Sequence, residues 1–153
     1  MTEYIDIKEL SVTDGILHDQ ELTGIHLVDD ELLMVFDNIE WFPDYEENNY
    51  ALKYKDYTKC AVKLKVSEYK DENTVDLYTA LKSNGLFKGI ELSLSDFINL
   101  MNDHKIRLVY LGTIASDNNT VINLSFYAKK GKYKKYCTAE IHTRTDRIEF
   151  FWE

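Results

Sequence analysis

Apolar side chains recur at every second residue through much of the second half of the chain, and this alternation limits the fold more than any other feature. In residues 59–69, Cys60, Val62, Leu64 and Val66 fall in one phase, while Lys59, Lys63, Lys65 and Ser67 fall in the other. Successive strand side chains point to opposite faces, so such a stretch is a strand with one buried and one wet face. Residues 120–129 repeat the pattern with Ile122, Leu124 and Phe126 against Asn123 and Ser125. The C-terminal stretch does so with Ile148, Phe150 and Trp152 against Arg147 and Glu149.

Short polar breaks separate these runs: Asp29-Asp30, residues 70–73, residues 116–119, Lys130-Gly131 and residues 143–146. Asn, Asp and Gly tolerate the left-handed backbone of tight turns, so the breaks read as connections between antiparallel neighbours. A four-strand meander over residues 105–152 is expected. Residues 21–28 and 31–37 form an earlier hairpin whose apolar residues occupy both phases, which predicts cover on both faces. Phe97, Ile98, Leu100 and Met101 follow a helical stripe instead, with Ser95 as N-cap and Asp96 at the positive end of the dipole, so a helix is expected over 95–104. A second short helix is expected at 10–15 or 78–84.

With 153 residues, 44% of them hydrophobic, the chain suffices for one core, and residues 1–153 are read as a single domain. Aromatics make up 13% of the chain and there is one proline, which favours ordered strands over linkers. The expected fold is therefore α+β and mainly antiparallel. It is a sandwich or strongly curved, barrel-like sheet of about eight strands with one principal helix near 95–104. No apolar run reaches the ~20 residues that span a bilayer, and no basic, then apolar leader opens the chain. A cytoplasmic protein without a membrane partner is expected.

Charge is divided unevenly. Residues 1–50 hold fourteen of the twenty-seven carboxylates and one basic residue, Lys8, whereas the remainder holds seventeen of the eighteen Lys and Arg. A field with this direction attracts cationic partners to one surface and, with a net charge of −9, argues against nucleic acid. Lysines at 129, 130, 132, 134 and 135 around Gly131, with Tyr133 among them and Tyr136 directly after, form a basic ribbon. Such a ribbon attracts phosphate, guards a sheet edge, or faces the acidic third of the same or another copy.

Motifs of catalysis are missing. Cys60 and Cys137 lie in phase with apolar residues, which favours inert thiols, and their separation suggests neither zinc nor a disulfide. There is no nucleophile elbow and no glycine-rich phosphate loop. His18 and Asp19 with His26 and Asp29 come nearest to a ligand set, but a turn histidine beside a strand histidine is the simpler reading. No metal and no cofactor is expected, and the residues favour a protein that is not an enzyme. Carboxylate pairs stand at turns, where solvation explains them.

Residues 37–57 are the most suggestive segment. They contain Trp41, Phe42, Tyr45, Tyr50, Tyr54 and Tyr57, the single proline Pro43, and the acids Asp37, Glu40, Asp44, Glu46, Glu47 and Asp56. Rigid aromatics supply contact energy and carboxylates draw in a basic surface, so Trp41, Phe42, Asp44, Tyr45, Glu46 and Glu47 are the candidate partner-binding residues. The competing reading is a long connection whose aromatics plug the end of the sheet.

Residues 16–26, with His18-Asp19 ahead of a hairpin, and the terminal Phe150-Phe151-Trp152 resemble small acidic bacterial proteins, some of them immunity proteins of polymorphic toxin systems. The resemblance covers about twenty residues. It implies an antiparallel β-rich fold and a cytoplasmic protein that binds and blocks a cognate toxin; it transfers no functional residue. Three functions stay open: a non-catalytic binding or inhibitory protein with a basic partner, a small-ligand binder or enzyme with an aromatic-lined pocket, and a self-associating protein that forms a homo-oligomer.

Overall fold

The computed structural model describes residues 2–6, 17–40, 56–82, 85–116 and 119–153. Among these residues ten strands and one α-helix follow in chain order, with a short 3-10 turn at Lys70–Glu72: β1 Thr2–Asp6, β2 Gly24–Val28, β3 Glu31–Asp37, β4 Lys59–Lys65, β5 Thr74–Ala80, β6 Leu86–Ser93, α1 Leu94–His104, β7 Arg107–Ser116, β8 Asn119–Tyr127, β9 Thr138–Thr143 and β10 Arg147–Trp152. They build two open antiparallel sheets of five strands, ordered β1-β10-β4-β3-β2 and β6-β5-β9-β8-β7. The α+β, mainly antiparallel fold is as expected, in its layered form and with neither sheet closed into a barrel.

Period two explains the core. Cys60, Val62 and Leu64 of β4, Ile122, Leu124 and Phe126 of β8, and Ile148, Phe150 and Trp152 of β10 are all buried in one continuous cluster. Each such side chain stabilises the fold by roughly 1.5–3 kcal/mol of burial. Phe36 on β3 meets Tyr110 on β7 edge to face at 5.8 Å, so the two sheets interlock through aromatic rings.

One extended stretch serves both sheets. The N–H groups of Asp19 and Leu22 donate to the carbonyls of Tyr110 and Leu108 at 2.8 and 2.9 Å, and Tyr110 N–H donates to Gln20 at 2.9 Å, which covers the β7 edge. From Thr23, whose N–H reaches the Val35 carbonyl at 2.8 Å, the chain turns to β3 and becomes the edge of the other sheet. A strand that changes sheets makes a corner and leaves fewer unpaired edge groups.

Three expectations about the strands change. The meander stops at three strands, because β10 leaves β9 and inserts between β1 and β4 in the other sheet; residues 143–146 form a crossover rather than a hairpin turn. The β2–β3 hairpin is fully buried on one phase only: Leu33 and Val35 lie opposite Lys63 and Ala61 on the half-buried outer face, and Val28 is 62% exposed. Tyr78, Thr79 and Ala80 end strand β5 instead of starting a helix, since they pair with β6 and, at Tyr78, β9. The alternative helix at 10–15 lies outside the described residues.

The helix itself begins earlier than expected. Ser93, not Ser95, is the N-cap, and its Oγ accepts from Asp96 N–H at 3.1 Å. Leu94, Phe97, Ile98, Leu100 and Met101 form its buried stripe, and Lys105, left-handed at φ 48°, ends it. No helix among the described residues is long and apolar enough to cross a membrane.

Candidate functional site

Three features of the surface have the chemistry to bind something. The first is the connection between β3 and β4. These strands are direct antiparallel neighbours with Asp37 opposite Lys59, so a turn of ~2–5 residues would join them. The chain instead spends residues 38–58 there. Its described ends are held firmly: Ile39 is buried and its N–H donates to the Thr58 carbonyl at 3.0 Å, while Thr58 and Lys59 N–H groups donate to Glu153 at 3.1 and 2.9 Å. Buried Gln20 grips the backbone of Glu40 on both sides, at 2.9 and 3.1 Å. Tyr57 packs against the core. Trp41, Phe42, Asp44, Tyr45, Glu46 and Glu47 all lie outside the described residues, directly beyond this anchored base.

The second is a carboxylate–histidine cluster on the outer face of the second sheet. Val75 and Leu77 of β5 and Ala139 and Ile141 of β9 face the core, so Asp76, Glu140 and His142 take the other face. Register sets Asp76 opposite Glu140 on one side and Glu91 on the other. His142 Nε2 stands 3.3 Å from Asp76 Oδ2 and 3.4 Å from Glu140 Oε2. The side chains of Asp76, Glu140 and His142 keep only 10%, 26% and 25% of their surface. Lys88 Nζ lies 2.8 Å from Asp76 Oδ1 and 3.0 Å from Glu91 Oε2, and these two carboxylates raise the lysine pKa further above its usual range. Burial, and then the neighbouring Glu140 carboxylate, push the Tyr78 hydroxyl up to about 12. Beside the cluster a groove of about 320 Å³ is lined by Asp71, Glu72 and Thr74 among others.

The third is a basic cavity of about 720 Å³ where the end of α1, the start of β7 and the β8–β9 connection meet. Lys105, Arg107, Lys129, Lys130 and Lys132 line it, and its one acid, Glu21, is paired to Arg107 at 2.8 Å. Gly131 makes the turn of the ribbon at φ 87°, a conformation that side chains resist. Lys132 and Lys135 lie over the rings of Tyr133 and Tyr136 at 5.0 and 5.2 Å. Three of the ribbon's five lysines, Lys129, Lys130 and Lys132, therefore stand around one concave site.

Other candidate groups are held apart. His18 Nδ1 lies 2.7 Å from the Leu111 carbonyl and its Nε2 3.6 Å from Asp19, and no ligand group of three forms with His26 and Asp29 among the described residues. Cys60 is buried and desolvation pushes its thiol far above the usual range, which removes it as a nucleophile at neutral pH. Cys137 is half-buried just before β9, with Sγ 3.6 Å from the Tyr78 carbonyl. The Asp76 cluster escapes a reading of motifs because its halves lie far apart in the chain; the local trace of it is Glu140 and His142 at strand spacing. No protein-family model, curated protein or solved structure matches the chain.

Proposed function

We propose that the protein is a non-catalytic binding protein that engages a basic protein partner through the acidic, aromatic segment between β3 and β4. The observation that carries this reading is the register of Asp37 with Lys59. Strands so paired need only a short turn, and long loops on rigid sheets are where binding residues concentrate. Under this reading Trp41, Phe42 and Tyr45 are the anchors, and Asp44, Glu46 and Glu47 orient and accelerate encounter. The anchored base at Ile39, Glu40 and Tyr57 supports it by reducing the ordering cost at both ends of the segment. In its narrower form the protein is cytoplasmic, the partner is a toxin, and binding blocks it, as the resemblance to immunity proteins implies.

The test is recovery of the partner from producing cells with the full chain, followed by association kinetics with the variant D44K/E46K/E47K. Steering by charge is worth ~10-fold or more in rate at low salt. An association rate equal to that of the parent at low salt would sink the proposal.

A second reading, self-association, draws support from the basic cavity at Lys105, Arg107 and Lys129, whose charge complements residues 1–50. It predicts a salt-dependent sedimentation coefficient that K129E/K130E/K132E abolishes.

A further inference from the structure

We propose that Asp76, Glu140 and His142 form a binding site for one divalent transition-metal ion, with zinc as the best match. The site is independent of the partner-binding segment. His142 Nε2 is a buried nitrogen that makes no hydrogen bond. A buried polar atom of this kind calls for a partner, an ion or a water. An imidazolium paired with one carboxylate would bring it to ~2.7–2.9 Å in line with the N–H. His142 instead stands between two carboxylate oxygens at nearly equal distances, 3.3 and 3.4 Å, and is aligned with neither.

Those separations have a geometric meaning. Four ligands arranged tetrahedrally at ~2.1 Å from an ion lie about 3.4 Å from one another. The Nε2–Oδ2 and Nε2–Oε2 distances match that edge, and all three ligand atoms lie within 4.8 Å of one another. An ion seated among them would meet the Nε2 lone pair and one oxygen of each carboxylate with little rearrangement.

Charge and support agree. The cluster gathers three carboxylates, Asp76, Glu91 and Glu140, and one ammonium, Lys88, which pairs with Asp76 and Glu91; a doubly charged ion offsets the excess. Asp76 is nine-tenths buried and uses Oδ2 toward the site while Lys88 stands at Oδ1. Such outer contacts orient ligands and tune affinity ~10–100-fold. One imidazole with two carboxylates suits zinc, manganese or iron better than calcium or magnesium, which prefer all-oxygen sites. Three protein ligands leave a fourth position, next to the groove at Asp71 and Glu72, for water or a ligand from outside.

The test uses the full chain stripped with chelator and titrated with Zn²⁺ alone by calorimetry, and with Co²⁺ by visible absorption. The expected result is one ion per chain, an intense tetrahedral Co²⁺ spectrum, and affinity at least tenfold weaker in H142Q and E140Q but unchanged in H18Q. Melting curves in chelator establish that the variants fold. If they do not, Mn²⁺ is added to the parent protein and the histidine ring resonances are followed; broadening of His142 alone supports the site. Absence of saturable Zn²⁺ binding by the parent, binding unchanged in H142Q and E140Q, or broadening confined to the other histidines would each overturn it.

Discussion

Gln20 holds Glu40 by both ends of its side-chain amide: Nε2 donates to the Glu40 carbonyl at 2.9 Å, and Oε1 accepts from the Glu40 N–H at 3.1 Å. Gln20 is buried and also accepts, through its own carbonyl, from Tyr110 N–H on the opposite sheet. It therefore ties the last described residue before Trp41 to the seam between the sheets. A side chain that replaces a strand partner in this way fixes where the chain leaves the fold.

Gln20→Ala removes both bonds and leaves two backbone groups without their partner. The expected cost is ~1–3 kcal/mol; at ~2–4 °C per kcal/mol for a chain of this size, the melting temperature falls by several degrees. If the clamp also positions the binding segment, partner affinity falls at temperatures where the variant remains folded. A variant that melts with the parent would show that water replaces the amide without loss.

Gly89 is required by a ring. A methyl group built on its backbone overlaps Tyr136, which is buried and packs edge to face with Phe126 at 6.5 Å. Gly89→Ala on β6 should cost ~1–3 kcal/mol by overpacking. The overlap involves one side chain, so G89A/Y136A should be less destabilised than the sum of the single changes. Additive effects, measured by denaturant unfolding, would place the strain elsewhere.

The inner faces of β4, β8 and β10 were legible because period two is a property of one strand: Cys60, Val62 and Leu64 declare their face whatever the neighbour. Partners are not local. Residues 143–146 have the composition of a hairpin turn, yet they carry the chain across the core, and nothing in Thr143 or Asp146 distinguishes the two uses. The cap went to Ser93 rather than Ser95 because Leu94 is buried with the helical stripe and draws the first turn forward. For the same reason the carboxylate–histidine cluster stayed hidden: Asp76 between Val75 and Leu77 is visibly odd, but its meeting with Glu140 and His142 exists only once β5 pairs with β9. The aromatic, acidic segment was legible as composition, whereas its anchorage required the pairing of Asp37 with Lys59.

Cys60 should be inert in the folded protein. It lies opposite Phe36 and Trp152 in register and desolvation holds the thiol protonated. Alkylation at pH 8 should modify Cys60 only after denaturant is added, while the half-buried Cys137 reacts first. Mass spectrometry of the digested protein distinguishes the two. Rapid native labelling of Cys60 would contradict the packing of β4.

Alkaline pH should weaken the fold through the outer face of the second sheet. Tyr78 is pushed from an ordinary value of 10.0 up to about 12, first by burial and then by Glu140. A tyrosine is neutral when protonated, so a raised value means that the folded chain keeps this proton to higher pH than the unfolded chain does. By linkage, the stabilisation is fully present below pH ~10 and is lost as pH rises through about 12. Lys88 is raised as well, by Asp76 and then Glu91, and its contribution fades in the same direction. Urea midpoints measured from pH 9 to 12 should therefore fall more steeply for the parent than for Tyr78→Phe, and the gap between the two should narrow as pH rises. Lys88→Met removes the other part of the slope. Absorbance of tyrosinate gives a second readout, since the difference between parent and Y78F should contain one group that ionises near 12. Parallel midpoint curves for the two proteins would show that Tyr78 ionises alike in the folded and unfolded chains.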